Sequence, residues 1–213
     1  MTSSVTLFGI KAITIGAALS MTAGLAFAGD NTISTSAIIT SLKAAPATRS
    51  LSVDPQSMEK KQREMTLINK VRNRPTRSLS MDERDQLQSL TLDKTKIDLE
   101  INFDFNSASI SQSSMSSVQH LGEALTDAQL RGQTFIVSGY TDAIGGDSFN
   151  QDLSNRRADT IKKYLVDHYH IAASDLVTVG YGKTHLKDAD HPDAAVNRRV
   201  QVVNSEAQST AQQ

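Results

Sequence analysis

The 213-residue chain contains no cysteine and no tryptophan, and aromatic residues make up only 5% of it. The absence of cysteine excludes disulfides, thiolate metal sites, a cysteine nucleophile and a lipid-modified N-terminal cysteine. The formal net charge is only −1, which argues against a dedicated nucleic-acid binder with a strongly basic face. Charged residues at 21% and hydrophobic residues at 38% are typical of a globular chain and not of a multi-span membrane protein.

Residues 1–28 have the pattern of a secretory signal peptide. Lys11 is followed by an apolar run that ends in Ala26-Phe27-Ala28, a small-x-small sequence that signal peptidases cleave. We therefore predict a mature chain that begins at Gly29 in the periplasm, associated with the outer membrane or the cell wall. The alternative is a retained anchor, although the run is short for a bilayer span of about 20 residues.

Residues 29–96 are predicted to be a linker with short basic helices. The first part, residues 29–53, contains nine Ser and Thr among its 25 positions and few large apolar residues. We expect no packed core in that first part, because too little apolar surface is available to offset the cost of ordering the chain. The final residues, 205–213, are polar and are predicted to be a disordered tail.

Two helix starts are visible within the predicted linker. Asp54-Pro55 combines an N-cap residue with a proline suited to the first turn, and it predicts a helix that reaches about Arg72. Ser80-Met81-Asp82-Glu83 is a capping box, which predicts a second helix over 81–91.

The small net charge results from two segments of opposite sign. Residues 29–97 contain 12 basic and 8 acidic side chains, whereas residues 98–204 contain 9 basic and 14 acidic ones. The basic residues concentrate within 54–77, which is either a solvated helix face or a docking element for an envelope protein or an anionic surface. No aromatic residue is interleaved with them, so we expect no nucleic-acid partner.

Residues 97–204 are predicted to be one α+β unit. Ile97, Leu99 and Ile101 alternate with polar residues, which is typical of a strand with one buried face. The predicted segments are a strand over 97–105, a helix over 111–130, a strand over 134–139, a helix over 149–168, and strands around 177–181 and 200–203. This β-α-β-α-β-β order favours a two-layer α/β sandwich, a mixed sheet with helices on one face.

A candidate binding site follows the second predicted strand. Asp142 lies just beyond that strand, and Asn150 and Arg157 lie on one side of the next helix because they are two turns apart. A carboxylate, a guanidinium and an amide around a cleft suit a zwitterionic ligand. The alternative is an ion pair between Asp142 and Arg157 with a helix cap, which would only stabilise the fold.

Four motifs in residues 97–204 resemble the OmpA-like peptidoglycan-binding domain family. The most specific motif is the stretch from Gly139 to Ala158, which reads GYTDAIGGDSFNQDLSNRRA. The others are Phe103-Asp-Phe-Asn-Ser107, Val179-Gly-Tyr-Gly182 and Asn197-Arg-Arg-Val200. The N-terminal region does not resemble the membrane barrel of the family's namesake. The resemblance implies non-covalent binding of the diaminopimelate in Gram-negative peptidoglycan.

The resemblance also assigns roles to individual residues. Asp142 would receive the ammonium group of diaminopimelate, and Arg157 would receive its carboxylate. Asn106, Asn150 and Arg198 match further ligand-contacting positions of the family, and Thr141 would shape the rim of the pocket.

The sequence offers little support for catalysis or for a cofactor. The histidines and the aspartates around His191 lack a full ligand set at a recognisable spacing, so we expect no metal and no other cofactor. A hydrolase of peptidoglycan would need a second carboxylate or a metal, and neither is evident. We therefore predict a non-enzymatic wall binder; the alternatives are a wall-remodelling enzyme and a membrane-anchored stator or scaffold subunit.

Overall fold

The computed structural model describes residues 32–44, 55–104 and 107–208. The described elements, in chain order, are α1 (Thr35–Leu42), α2 (Pro55–Val71), α3 (Met81–Thr91), β1 (Lys94–Leu99), α4 (Met115–Thr126), β2 (Phe135–Gly139), α5 (Asp147–Tyr169), β3 (Leu176–Gly180) and β4 (Val200–Gln208). The leader predicted over residues 1–28 and the start at Gly29 lie outside the described residues and stay predictions. No helix among the described residues has the length and apolar character needed to cross a bilayer.

The four strands form one open mixed sheet in the order β1-β4-β2-β3. β4 is antiparallel to both of its neighbours, and β2 and β3 are parallel. The predicted mixed sheet is therefore confirmed. Within the predicted unit, both helices, α4 and α5, pack on one face of the sheet, as the predicted two-layer sandwich requires.

The first apolar core lies between that face and α1, α4 and α5. Val118 and Leu121 of α4 and Ile161 and Leu165 of α5 are fully buried against it. Helix α1 contributes Ile38 and Leu42, both with no exposed surface. The prediction that residues 29–53 lack a packed core is therefore wrong for α1. Its few apolar residues suffice because their four-residue spacing places them on one helix face, which an existing core can cover.

The second apolar core lies on the other face of the sheet. Helices α2 and α3 cover this face with the apolar side chains Ile68, Val71, Leu87 and Leu90, and Leu79 joins them from the connection between the helices. Ile136, Val177 and Val203 meet them from the strands. The region predicted to be a linker with basic helices thus adds a third layer to the two predicted ones.

Local signals set the ends of α2 and α3. Pro55 begins α2, as predicted, and the capping box of α3 is formed in both directions. The Glu83 amide donates to the Ser80 hydroxyl at 3.2 Å, and the Ser80 amide donates to the Glu83 carboxylate at 2.9 Å. These reciprocal bonds satisfy two amides that a helix start otherwise leaves without partners.

Most of the basic side chains in residues 54–77 are paired with acidic ones inside the protein. Lys60 contacts Asp93 at 2.5 Å, and both Lys70 and Arg74 contact Glu83. A further ion pair joins Glu64 of α2 to the buried Lys94 of β1 at 2.8 Å. Three of the seven basic side chains in residues 54–77 thus connect α2 and the segment after it to α3 or to the residue before β1. The predicted docking role of residues 54–77 stays untested.

Two predicted boundaries need correction. The strand predicted over 97–105 begins earlier, at Lys94, and ends at Leu99. Beyond it the chain leaves the sheet, because the Asn102 amide donates to Ser114 and the Asp104 amide donates to the Ser109 carbonyl. The predicted tail is ordered through Gln208, since β4 continues along β1 to that residue.

Candidate functional site

The candidate site lies where β2 and β3 end and α5 begins. Close packing of α5 on this end of the sheet is possible because position 180 is a glycine. A Cβ there would lie 2.3 Å from the Asn155 side-chain oxygen and 2.5 Å from the Ser154 hydroxyl. The segment after β2 is tied to the one after β3 by the Thr141 amide, which donates to the Gly182 carbonyl at 2.9 Å. The candidate site is therefore built where α5 packs closely on the sheet and where the segments after β2 and β3 are joined.

Asp142 follows β2 directly and is only 9% exposed. One of its carboxylate oxygens accepts the Ile144 amide at 3.2 Å, and the other accepts Nη1 of Arg198 at 2.9 Å. Both oxygens already have one partner, so the carboxylate is held in a fixed orientation. The alternative considered for Asp142 is an ion pair with Arg157 that only stabilises the fold. Asp142 does form an intramolecular ion pair, but its partner is Arg198.

Arg157 lies on the buried side of α5 and is also only 9% exposed. Its Nε donates to the Ser107 carbonyl at 3.4 Å, a long bond, and its guanidinium carbon lies 4.7 Å from the centre of the Phe103 ring. Within the part of the chain that the structure describes, no carboxylate forms an ion pair with it. Burial lowers the pKa of Arg157 from its ordinary value, and the charge of Asp142 opposes that shift.

Asn150 and Thr141 shape the loop between Asp142 and Arg157. The buried Asn150 amide group donates to the Ile144 carbonyl at 2.9 Å, and the Thr141 hydroxyl donates to the Asp142 carbonyl at 2.9 Å. Asn150, Ser154 and Arg157 share the buried side of α5, as their spacing predicted. Asn150 does not cap the helix; it holds the loop that precedes it.

Arg198 is positioned by its neighbour Asn197, the first residue of the Asn197–Val200 motif, for which the sequence predicted no separate role. Asn197 is fully buried and orders the loop before it through five hydrogen bonds. The carbonyl of Pro192 in that loop in turn accepts the Ala143 amide at 2.9 Å. The loop therefore carries Arg198 on one side and contacts the Asp142 segment on the other.

The structure thus brings together most of the predicted site residues. Asp142 and Arg198 are in direct contact, and Thr141, Asn150 and Arg157 line the same end of the sheet. The predicted contact residue Asn106 lies outside the described residues. Phe103, whose ring lies against the Arg157 guanidinium, is a residue of the Phe103–Ser107 motif for which no role in the site was predicted. A signal was available, since Phe103 and Asn106 belong to the same quoted motif.

The match to a family model agrees with this geometry. Residues 102–199 match the model described as the OmpA family. Residues 102–199 therefore form an OmpA-like domain. The matched residues run from the end of β1 to the start of β4, and they contain the whole candidate site. Helices α1–α3 lie outside the match, although they pack on the same sheet.

Several named proteins are similar to this OmpA-family domain. Outer membrane porin F of Pseudomonas fluorescens is 37% identical over 116 residues, which cover 53% of this chain and 35% of the porin. Outer membrane protein A of Escherichia coli O157:H7 is 31% identical over 86 residues, or 40% of this chain and 25% of that protein. The chain therefore spans about a third or less of the length of these relatives.

A solved structure, the OmpA-like domain of FopA1 from Francisella tularensis, superposes on 51% of this chain and 70% of its own, with a TM-score of 0.44 and 20% identity.

Proposed function

We propose that the OmpA-family domain binds peptidoglycan non-covalently, through the diaminopimelate of its peptide stem, and so tethers the protein to the cell wall from the periplasm. The observation that carries this proposal is Arg157: a guanidinium that is 9% exposed, with one long hydrogen bond and no carboxylate partner in the described chain. The resemblance of residues 97–204 to the peptidoglycan-binding family supports the choice of ligand.

A buried charge without a partner is costly, so its presence calls for an explanation. Arg157 needs an acceptor that the described chain does not supply, and a planar carboxylate fits the fork of its N–H groups. The ring of Phe103 already supports one face of the guanidinium. A ligand carboxylate would therefore supply the acceptor that the Arg157 guanidinium lacks in the described chain.

The ammonium group of the ligand would meet Asp142, which already contacts Arg198. An arriving ammonium would share the carboxylate with Arg198 or displace it. Two guanidinium groups and one carboxylate leave this cleft with a net positive charge. We therefore expect the carboxylate of the ligand, bound at Arg157, to contribute more affinity than its ammonium group.

The proposed role is binding without catalysis. The curated relatives named above are outer membrane proteins, and none of them carries an enzyme's name. We expect purified sacculi incubated with the protein to stay insoluble; the release of soluble muropeptides would contradict this part of the proposal.

Co-sedimentation with purified sacculi tests the proposal directly. We expect the wild type to pellet with diaminopimelate-type sacculi and to pellet less with sacculi that carry lysine at the same stem position, because lysine lacks the second carboxylate. Arg157→Ala and Asp142→Ala should both stay in the supernatant. Loss of one partner of a buried ionic contact weakens binding by about 2–5 kcal/mol.

Neighbouring residues provide matched controls for both variants. Arg156 is 46% exposed on the same helix and pairs with Asp152 at 2.7 Å, away from the cleft. Arg156→Ala and Asp152→Ala change the net charge by the same amounts as the two site variants. Both controls should pellet like the wild type; equal pelleting of Arg157→Ala would mean that the site assignment is wrong.

A further inference from the structure

The turn that follows Asp142 is contacted by Lys183, which lies just after β3. Its Nζ donates to the Gly145 carbonyl at 3.1 Å and contacts the Asp147 carboxylate at 2.8 Å. The Lys183 side chain is 31% exposed, whereas that of Asp147 is 88% exposed. Lys183 thus reaches across the cleft edge from one loop to another.

The turn has a conformation that needs such support. Gly145 has φ +94°, a left-handed conformation that is readily available only to glycine, and a glycine chain is also the easiest to disorder. Gly146 is the N-cap residue of α5 and offers no side chain to accept the first amides of the helix. The residues between Asp142 and α5 therefore depend on contacts from neighbouring segments.

A short chain of hydrogen bonds connects Lys183 to the candidate ligand group. Lys183 holds Gly145, the preceding residue Ile144 donates its amide to Asp142 at 3.2 Å, and Asn150 holds the Ile144 carbonyl. Release of the turn would let Ile144 move and would remove its hydrogen bond to the Asp142 carboxylate, which would then be held by Arg198 alone. Lys183 itself has no contact with Asp142 or Arg157 in the structure.

We infer that Lys183 is a positioning residue for peptidoglycan binding: it holds the Gly145-Gly146 turn so that Asp142 faces the ligand. This inference rests on the proposed function of the site. An exposed ion pair contributes modestly, and we expect loss of Lys183 to weaken wall binding by about two- to fivefold. The direct ligand residues should have much larger effects.

The test compares Lys183→Met with Lys183→Arg in the full protein, with diaminopimelate-type sacculi as the probe. Two quantities are measured: the dissociation constant from quantitative co-sedimentation, and the hydrogen exchange of the amides in residues 143–148. Lys183→Met should bind more weakly and exchange faster at Ala143 and Ile144. Lys183→Arg keeps a donor of sufficient reach and should restore both quantities.

Lys162→Met is the matched control, because Lys162 also donates to a backbone carbonyl, that of Leu176, at the far end of β3. It should change neither wall binding nor exchange in residues 143–148. Wild-type affinity in Lys183→Met would overturn the inference, and so would weaker binding with unchanged exchange, since Lys183 would then contact the ligand itself. If the wild type does not pellet, the proposed function fails, and the exchange comparison still decides whether Lys183 holds the turn.

Discussion

Two buried charged side chains, one in helices α1–α3 and one in the OmpA-family match, differ in how completely they are paired with other groups. Glu83 of α3 is 6% exposed, and Arg157 of α5 is 9% exposed. Glu83 accepts hydrogen bonds from three groups, namely the Ser80 amide, Arg74 and Lys70. Arg157 has one long hydrogen bond and an aromatic ring.

This difference separates the parts of the molecule that stabilise it from the part that we propose binds a ligand. Helices α1–α3 lie outside the OmpA-family match and contribute apolar cores and paired charges. Within the match, the Arg157 guanidinium has no acidic partner among the residues that the structure describes. Residues of α1–α3 should therefore control the free energy of unfolding, and residues of the candidate site should control wall binding.

The largest expected effect comes from removal of α1–α3. A chain that begins at residue 93, just before β1, loses seven buried apolar side chains: Ile38, Leu42, Ile68, Val71, Leu79, Leu87 and Leu90. Each contributes about 1.5–3 kcal/mol when buried, and together they equal or exceed the typical stability of a whole domain, about 5–15 kcal/mol. We expect no cooperative thermal transition by circular dichroism. A shortened chain that melts at the wild-type temperature would show that the helices are dispensable.

Leu87→Ala should give the next largest effect, on stability alone. Leu87 is fully buried between α3 and the sheet, so its truncation leaves a cavity and should lower the free energy of unfolding by about 2–5 kcal/mol. Urea denaturation measures the loss. Met81→Ala, at a side chain that is 74% exposed on the same helix, is the control and should be nearly neutral. Wall binding of the folded Leu87→Ala protein should equal that of the wild type.

Arg157→Met should have the reverse effect of Leu87→Ala: it should abolish wall binding without lowering stability. The variant keeps an unbranched side chain over Phe103 and removes a buried charge that has no acidic partner in the described part of the chain. We expect the free energy of unfolding to stay the same or to rise by up to about 1 kcal/mol, while wall binding is lost. Urea denaturation and co-sedimentation measure the two quantities. A marked loss of stability would mean that Arg157 supports the fold, as Glu83 does.

The smallest expected effect is a pH dependence at Glu83. Hydrogen bonding from the Ser80 amide, followed by Lys70 and Arg74, lowers the pKa of Glu83 from 4.5 to about 2. Because the folded-state pKa is depressed, its contribution to stability is present above pH 4.5 and is lost as the pH falls towards 2.

Glu83→Gln keeps a side chain that suits the capping box but removes the charge. The difference between the urea midpoints of wild type and variant should therefore be largest near neutral pH and should shrink in acid. A difference that does not change with pH would show that the charge of Glu83 contributes nothing.

The features that the sequence predicted correctly depend on neighbouring residues. The helix starts at Pro55 and Ser80 follow from side chains that act on amides within one turn. The alternation after Ile97 and the one-sided spacing of Asn150 and Arg157 are also local, and they indicated the buried faces of a strand and a helix. The motif around Asp142 predicted a site just beyond the second strand, and the structure has Asp142 there in contact with Arg198.

The features that the sequence analysis missed depend on contacts between distant segments. Asp142 is paired with Arg198, 56 residues away, because the loop ordered by Asn197 brings that guanidinium to it. Lys183 reaches a turn 38 residues earlier. No local sequence pattern indicates which distant residues will be in contact, because these contacts depend on how the loops meet once the sheet has formed.

The sequence by itself determined the order of helices and strands within residues 97–204, the helix starts at Pro55 and Ser80, and the mixed sheet. Hydrogen-bonding caps and the periodicity of apolar residues act over a few positions, so they can be read from the chain. Only the tertiary structure decided that α1, α2 and α3 belong to the packed protein. A sparse apolar face such as that of Ile38 and Leu42 becomes buried only because a complementary surface exists elsewhere in the fold.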